Sequence, residues 1–228
     1  MAKRKKKAQD ETLVDIVEKK EQVTDFYESN QNLILGGLFA IVLLIGGIYA
    51  YNNFYKAPRI AAAIEEMAQA ERMFERDSFA LALNNPGGGK MGFEQIAENF
   101  SGTPTGNMAN YYAGLCYLYL GQFKAAISYL EDYNPSGTVL PLTYYGVLGD
   151  AYSETGDMEG AIGYYEKATK QGTNEFVESY YLKKLGLAYE HQGNLEKAKA
   201  TFEVLQSKYP NSTAGRDIEK YIARVNPK

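Results

Sequence analysis

The chain holds one histidine, His191, and one cysteine, Cys116, so its stock of groups for nucleophilic or metal chemistry is small. A nucleophile needs a base within reach and a third group to orient that base. His191 is the sole imidazole, and it follows Glu190 at the end of a helical pattern, just before a turn. That is the place of a solvated or interface histidine. Cys116 stands among Leu115, Tyr117 and Leu118 on an apolar face, which is where a packing thiol sits. A lone cysteine makes no intramolecular disulfide, and with a single histidine the usual structural zinc sets cannot be assembled. Gly87-Gly-Gly-Lys90 invites a phosphate-loop reading, but the spacing G-x-x-x-x-G-K-S/T is missing. Met91 stands where the hydroxyl is needed, and a helical segment precedes in place of a strand. An inter-helix loop is the better reading. No pair of acidic residues falls in a recognisable pocket motif. Asn99-Phe-Ser101 and Asn211-Ser-Thr213 are glycosylation sequons only in a eukaryotic secretory route. The expectation is a non-enzyme with no catalytic residues, no metal and no cofactor.

What remains is what positions such sparse chemistry. Of 228 residues, 45% are hydrophobic and 23% charged, the values of an ordered globular chain. A net charge of −4 argues against a nucleic-acid partner, which calls for a basic face. The averages conceal a sharp segregation. Met1 to Lys7 contains five cations, and Leu33 to Tyr51 then runs nineteen residues without a charge. At 1.5 Å per residue that run makes roughly 28 Å of helix, close to the hydrocarbon thickness of a bilayer. Tyr49, Tyr51, Phe54 and Tyr55 gather at its far end as an aromatic belt would. The 32 residues before it are long for a signal peptide, and no A-x-A closes it, so it reads as an uncleaved anchor. Gly36-Gly37 and Gly46-Gly47 interrupt the run, and lipid-facing glycines are the simpler reading than a helix contact.

Seven Lys/Arg precede the run, whereas only Lys56 and Arg59 occur in the twenty residues after Tyr51. Cations remain on the cytosolic side, so the head is expected inside and residues 56–228 outside the cytosol. Leu13, Ile16, Val17, Val23, Phe26 and Tyr27 share one stripe, which allows a short amphipathic helix or a frayed polar extension.

The second half repeats itself three times. Gly114, Tyr117, Gly121 and Ala126 recur as Gly149, Tyr152, Gly156 and Ala161, then as Gly186, Tyr189, Gly193 and Ala198. The first glycine lets two helices approach, and the tyrosine is expected inside the helical hairpin. The second glycine ends the first helix in a left-handed conformation, and the alanine permits a close crossing. Phe123, Met158 and Leu195 share one apolar slot after the turn; Tyr165 and Phe202 share another. This pattern resembles the tetratricopeptide repeat, a helix–turn–helix of 34 residues that carries L-G-x-x-Y, then Gly, then Ala, then a closing Pro. Leu148-Gly149 and Leu185-Gly186 match its first pair, Ala113-Gly114 departs from it, and the family's tryptophan is absent.

The fold expected is all-α: one transmembrane helix, then a solenoid of about three repeats with a divergent opening helical hairpin and a closing helix. The divisions are 1–31 for a basic cytosolic head, 32–55 for the span, 56–106 for the opening hairpin with its Gly-rich loop, and 107–228 for repeats and cap. In the opening part Ala61 to Leu83 reads as one helix and Phe93 to Phe100 as a second. Ser212 to Val225 supplies the closing helix, as solenoid ends need atypical units.

In layout the chain is similar to the YfgM-like family, most specifically over GGGKMGFEQIAENFSGTPTGNMAN at 87–110. Members are bacterial inner-membrane proteins with a periplasmic tetratricopeptide domain. The resemblance implies an ancillary subunit of the Sec translocon that aids export and chaperone handover. Its implied partners are the translocon channel, a membrane-anchored periplasmic peptidyl-prolyl isomerase-like chaperone, and unfolded secretory chains. A scaffold subunit of another envelope machine, for secretion, motility or division, is the alternative.

The repeat register places a concave groove on the first helices. Its residues are Met108, Tyr111, Leu115 and Tyr119 in the first unit, Thr143, Asp150 and Ser153 in the second, and Tyr180, Lys183, Leu187, Glu190 and His191 in the third. Such a groove runs from apolar and aromatic through acidic to mixed. It could accept a helix or an unfolded segment, unless the opening helix already fills it.

Overall fold

A computed structural model describes residues 2–135, 140–170 and 174–226, with the backbone alone at 2–19, 21–23, 25 and 140. Its described residues contain helices and no strand, and they form two units, Met1–Pro58 and Arg59–Lys228.

In the first unit α1 runs over Ala2–Ala50 and passes into a π-helical turn, Tyr51–Lys56. This is long and apolar enough to cross a membrane, and the only such helix among the described residues. Leu33, Leu44 and Phe54 are exposed. Tyr51 and Tyr55 stack at 5.4 Å where the helix widens. Of the expected amphipathic stripe, the side chains of Leu13, Ile16, Val17 and Val23 lie outside the described residues. Phe26 and Tyr27 are exposed.

The second unit builds a solenoid from paired helices. Its opening segment has α2 (Ala57–Phe74), α3 (Phe79–Asn84) and α4 (Phe93–Asn99). The single helix expected from Ala61 to Leu83 is broken at Asp77, whose φ of 55° turns the chain left-handed. Aspartate tolerates that region better than most residues. The turn folds Phe79 back onto Phe74 at 5.5 Å, so burial of two aromatic rings outweighs local helix propensity.

Three helical hairpins follow: α5 (Pro104–Tyr119) with α6 (Phe123–Glu131), α7 (Leu140–Glu154) with α8 (Met158–Lys170), and α9 (Glu175–His191) with α10 (Leu195–Lys208). The closing helix α11 covers Ile218–Val225, shorter than expected because residues 210–217 coil into turns. Caps define the helix starts. The Thr103 hydroxyl accepts from the Gly106 N–H at 3.0 Å ahead of Pro104, and Asn174 and Asn194 cap α9 and α10.

Both glycines of each repeat have the duties read from the sequence. A Cβ on Gly114 would meet Leu130 Cγ at 2.6 Å, one on Gly149 would meet the Tyr165 ring at 2.5 Å, and one on Gly186 the Phe202 ring at 2.2 Å. The second glycines, Gly121, Gly156 and Gly193, all have positive φ. Ala126, Ala161 and Ala198 are fully buried at the crossings.

The tyrosine differs from its expected role. Its ring packs, but its hydroxyl leaves the hairpin to reach the unit before. Tyr152 Oη donates to Glu131 Oε1 at 2.8 Å, and Tyr117 and Tyr189 donate likewise to Glu94 and Glu166. Glu131 and Glu166 lie on the second helix of the preceding pair, and Glu94 lies on α4, the last helix of the opening segment. The bond therefore ties unit to unit, which a stack of nearest neighbours requires.

Candidate functional site

The concave face is built by α5, α7 and α9, with the opening segment at one end and α11 at the other. At the opening end Phe79 stacks on Tyr119 with centroids 4.6 Å apart, while Phe74 and Phe93 close on Tyr112 at 5.2 and 5.1 Å. Met108 is half-buried between the opening core and the next. The opening segment thus covers part of the apolar end, although Tyr119 keeps 61% of its surface exposed. Leu115 is half-buried against the core that holds Leu130 and Leu148.

Tyr111 does not line an open groove. It is buried, with Tyr133 at 5.2 Å. A register position sets only the direction in which a side chain leaves its helix; here Leu130 of α6 and Tyr144, Val147 and Leu148 of α7 share a core with it. Close packing recurs at Gly146, where a Cβ would lie 1.9 Å from Tyr181 Cζ. The Tyr181 ring lies directly on the α7 backbone and makes a floor. Burial, then Asp150 and the neighbouring hydroxyls of Tyr180, Tyr111 and Tyr119, raise the Tyr181 phenol far above its ordinary value.

The middle of the face is polar. Asp150 Oδ1 accepts from Tyr165 Oη at 2.7 Å and from Lys184 Nζ at 2.7 Å. Burial pulls the Lys184 ammonium down, but the Asp150 carboxylate and Tyr180 outweigh it, and the net shift is upward. Asp150 Oδ2 accepts no hydrogen bond among the described residues. Glu154 is exposed and unpaired among them, and Ser153 and His191 stand beside it on a cleft of about 260 Å³. Thr143 is half-buried on α7.

At the far end two expected groove residues are taken up by the closing helix. Lys183 Nζ lies 4.8 Å from the centre of the Tyr221 ring, and Glu190 pairs with Arg224 at 2.5 Å. Helix α11 packs where the next repeat would begin, so it claims the side chains that a further unit would meet. Tyr180 and Leu187 stay on the open side. With Phe176, which is 71% exposed, they line a second cleft of about 380 Å³ closed by Thr213 and Ala214. Phe176 falls one turn before Tyr180 on the same helical face, and that i, i+4 spacing is the signal that sequence reasoning passed over.

The groups singled out for chemistry have structural work. Cys116 is fully buried, and burial pushes its thiol up to about 12, so little thiolate exists near neutrality. Lys90 Nζ bridges Glu65 at 2.7 Å and Glu66 at 3.2 Å, while Glu66 Oε2 accepts the Met91 N–H at 2.8 Å. The Gly-rich loop is thereby strapped to α2. Among the described residues no three His, Cys, Asp or Glu side chains are grouped to hold a metal ion.

Tetratricopeptide repeat models match residues 108–134, 142–171 and 183–212, each overlapping one of the three hairpins. A search of the curated proteins finds no match. Six chains among the solved structures match. One is described as "Crystal structure of MamA protein", with a TM-score of 0.55 and 19% identity over 72% of this chain and 89% of that one. At that identity the likeness is one of fold. The chain carries tetratricopeptide repeats in an all-helical solenoid, and such repeats mediate contacts between proteins.

Proposed function

We propose that this protein is a non-catalytic, single-pass subunit of the bacterial inner membrane whose repeat domain receives protein partners in the periplasm. Residues 32–55 are the span, residues 1–31 the cytosolic head, and residues 56–106 and 107–228 the opening hairpin and the repeats with their cap. The seven cations before the apolar run, against two just after it, support that orientation. The YfgM-like layout supports a finer reading: an ancillary subunit of the Sec translocon that stands by emerging chains and passes them to a membrane-anchored isomerase-like chaperone. An anchor raises the local concentration of a weak groove beside its channel, so modest contacts suffice.

The observation that carries the reading is the exposure of Tyr119, Phe176 and Tyr180 on the first helices of a repeat solenoid whose chain also holds one apolar helix. The test is a mild-detergent pull-down of the tagged full-length protein from native membranes, with mass spectrometry of the bound proteins. The translocon channel together with a periplasmic isomerase is the expected recovery. A different envelope complex without the channel overturns the translocon assignment and leaves a scaffold.

A further inference from the structure

The two clefts on the α7–α9 face share Lys184 and Leu187, so they are compartments of one site. Their unused chemistry differs. On the first, the acceptors left without a partner among the described residues are Asp150 Oδ2 and the Glu154 carboxylate, and the exposed imidazole of His191 stands beside them. The lysine there, Lys184, pairs with Asp150 Oδ1 at 2.7 Å. On the second the wall is apolar, made by Phe176, Tyr180, Leu187 and Ala214. Its lysines lie over rings, Lys183 over Tyr221 and Lys184 over Tyr180, both at 4.8 Å.

We infer that this face binds a short segment of a partner protein that presents an apolar side chain, best an aromatic one, beside an arginine or lysine. The apolar side chain enters between Phe176, Tyr180 and Leu187. The cation reaches Glu154 and Asp150 Oδ2 across the wall that Leu187 shares. Charge complementarity selects this occupant. A carboxylate placed in the first cleft would meet Glu154 unpaired, whereas a cation there pairs with it. The aromatic rings of Phe176 and Tyr180 suit the task, because they offer broad contact with little rotamer entropy to lose. The inference rests on the protein-binding reading above and names what that groove selects.

The test uses the full-length protein in detergent on an array of short peptides, each position varied through the natural amino acids. The expected result is enrichment of Arg or Lys next to Phe, Tyr, Trp or Leu. Phe176→Ser with Tyr180→Ser should lower retention of those peptides about tenfold, as loss of a central aromatic anchor does. Glu154→Lys should reverse the charge preference toward Asp and Glu while leaving the apolar one. These side chains are exposed, so circular dichroism should show both variants folded. Preference for acidic peptides, or a preference that neither variant alters, overturns the inference. So does concentration-dependent self-association abolished by the same variants, which assigns the face to a second copy. Failure on the array with a successful pull-down removes this chemistry alone. Success on the array with a pull-down lacking the channel removes only the translocon role.

Discussion

The Tyr152 hydroxyl donates to Glu131 at 2.8 Å, joining the first helix of one repeat to the second helix of the repeat before it. The same relationship links Tyr189 to Glu166, and Tyr117 reaches Glu94 on α4 of the opening segment in the same way; the separations are 21 residues for Tyr152 and 23 for each of the other two. Stacked rings back two of the three latches, Tyr117 on Tyr129 and Tyr152 on Tyr164.

Removing one hydroxyl should therefore loosen an interface between units without emptying a core. Tyr152→Phe is expected to cost about 0.5–1.5 kcal/mol, since exposed Glu131 regains water when its partner is lost. Hydrogen exchange should show the loss at the α6–α7 boundary first. A double-mutant cycle with Glu131→Gln checks that the two residues act as a pair.

The latches also set an alkaline limit. Burial, then the hydrogen bond to Glu166, push the Tyr189 phenol from 10 up to about 12. The folded chain keeps that proton where the unfolded chain has released it. Its stabilising share is complete below pH 10 and is lost as pH rises toward 12. Circular dichroism and phenolate absorbance followed together should show unfolding within that window, and Tyr189→Phe should flatten this part of the dependence.

Two glycine substitutions should move stability in opposite directions. Gly186→Ala drives a methyl to 2.2 Å from the fully buried Phe202 ring and is expected to destabilise by ~1–3 kcal/mol. Gly163→Ala, within α8 and with nothing within 4 Å of its new methyl, should stabilise by ~0.5–1 kcal/mol. Thermal melts of the two variants decide it.

Cys116 should resist a thiol reagent in the native protein at neutral pH and react on unfolding. Its burial and its thiol pushed up to about 12 both require this. Rapid labelling of the folded chain would mean that α5 is open at the centre of its hairpin.

The repeat was legible because its glycines and alanines answer local demands: a left-handed turn at Gly121, Gly156 and Gly193, and a close approach at Gly114, Gly149 and Gly186. The break at Asp77 was hidden, because the fold-back of Phe79 onto Phe74 depends on aromatic partners far along the chain, Phe93 and Tyr112. For the same reason the groove register erred at Tyr111, which α6 and α7 cover, and at Glu190, which Arg224 of α11 engages. The latch did leave a trace. Glu94, Glu131 and Glu166 recur with nearly the period of the tyrosines they bind, and aligning the second helices of successive units exposes them.

The central claim is that the concave face meets a protein partner beside the translocon. A photoreactive residue placed at Leu187 on that face, and at exposed Val204 on α10 as a control, tests it in the full-length protein in living cells. The account predicts that position 187 captures the translocon channel, the isomerase-like chaperone or an exported chain, and that position 204 does not. Capture from 204 with none from 187, or capture at 187 of a single unrelated envelope subunit, contradicts it.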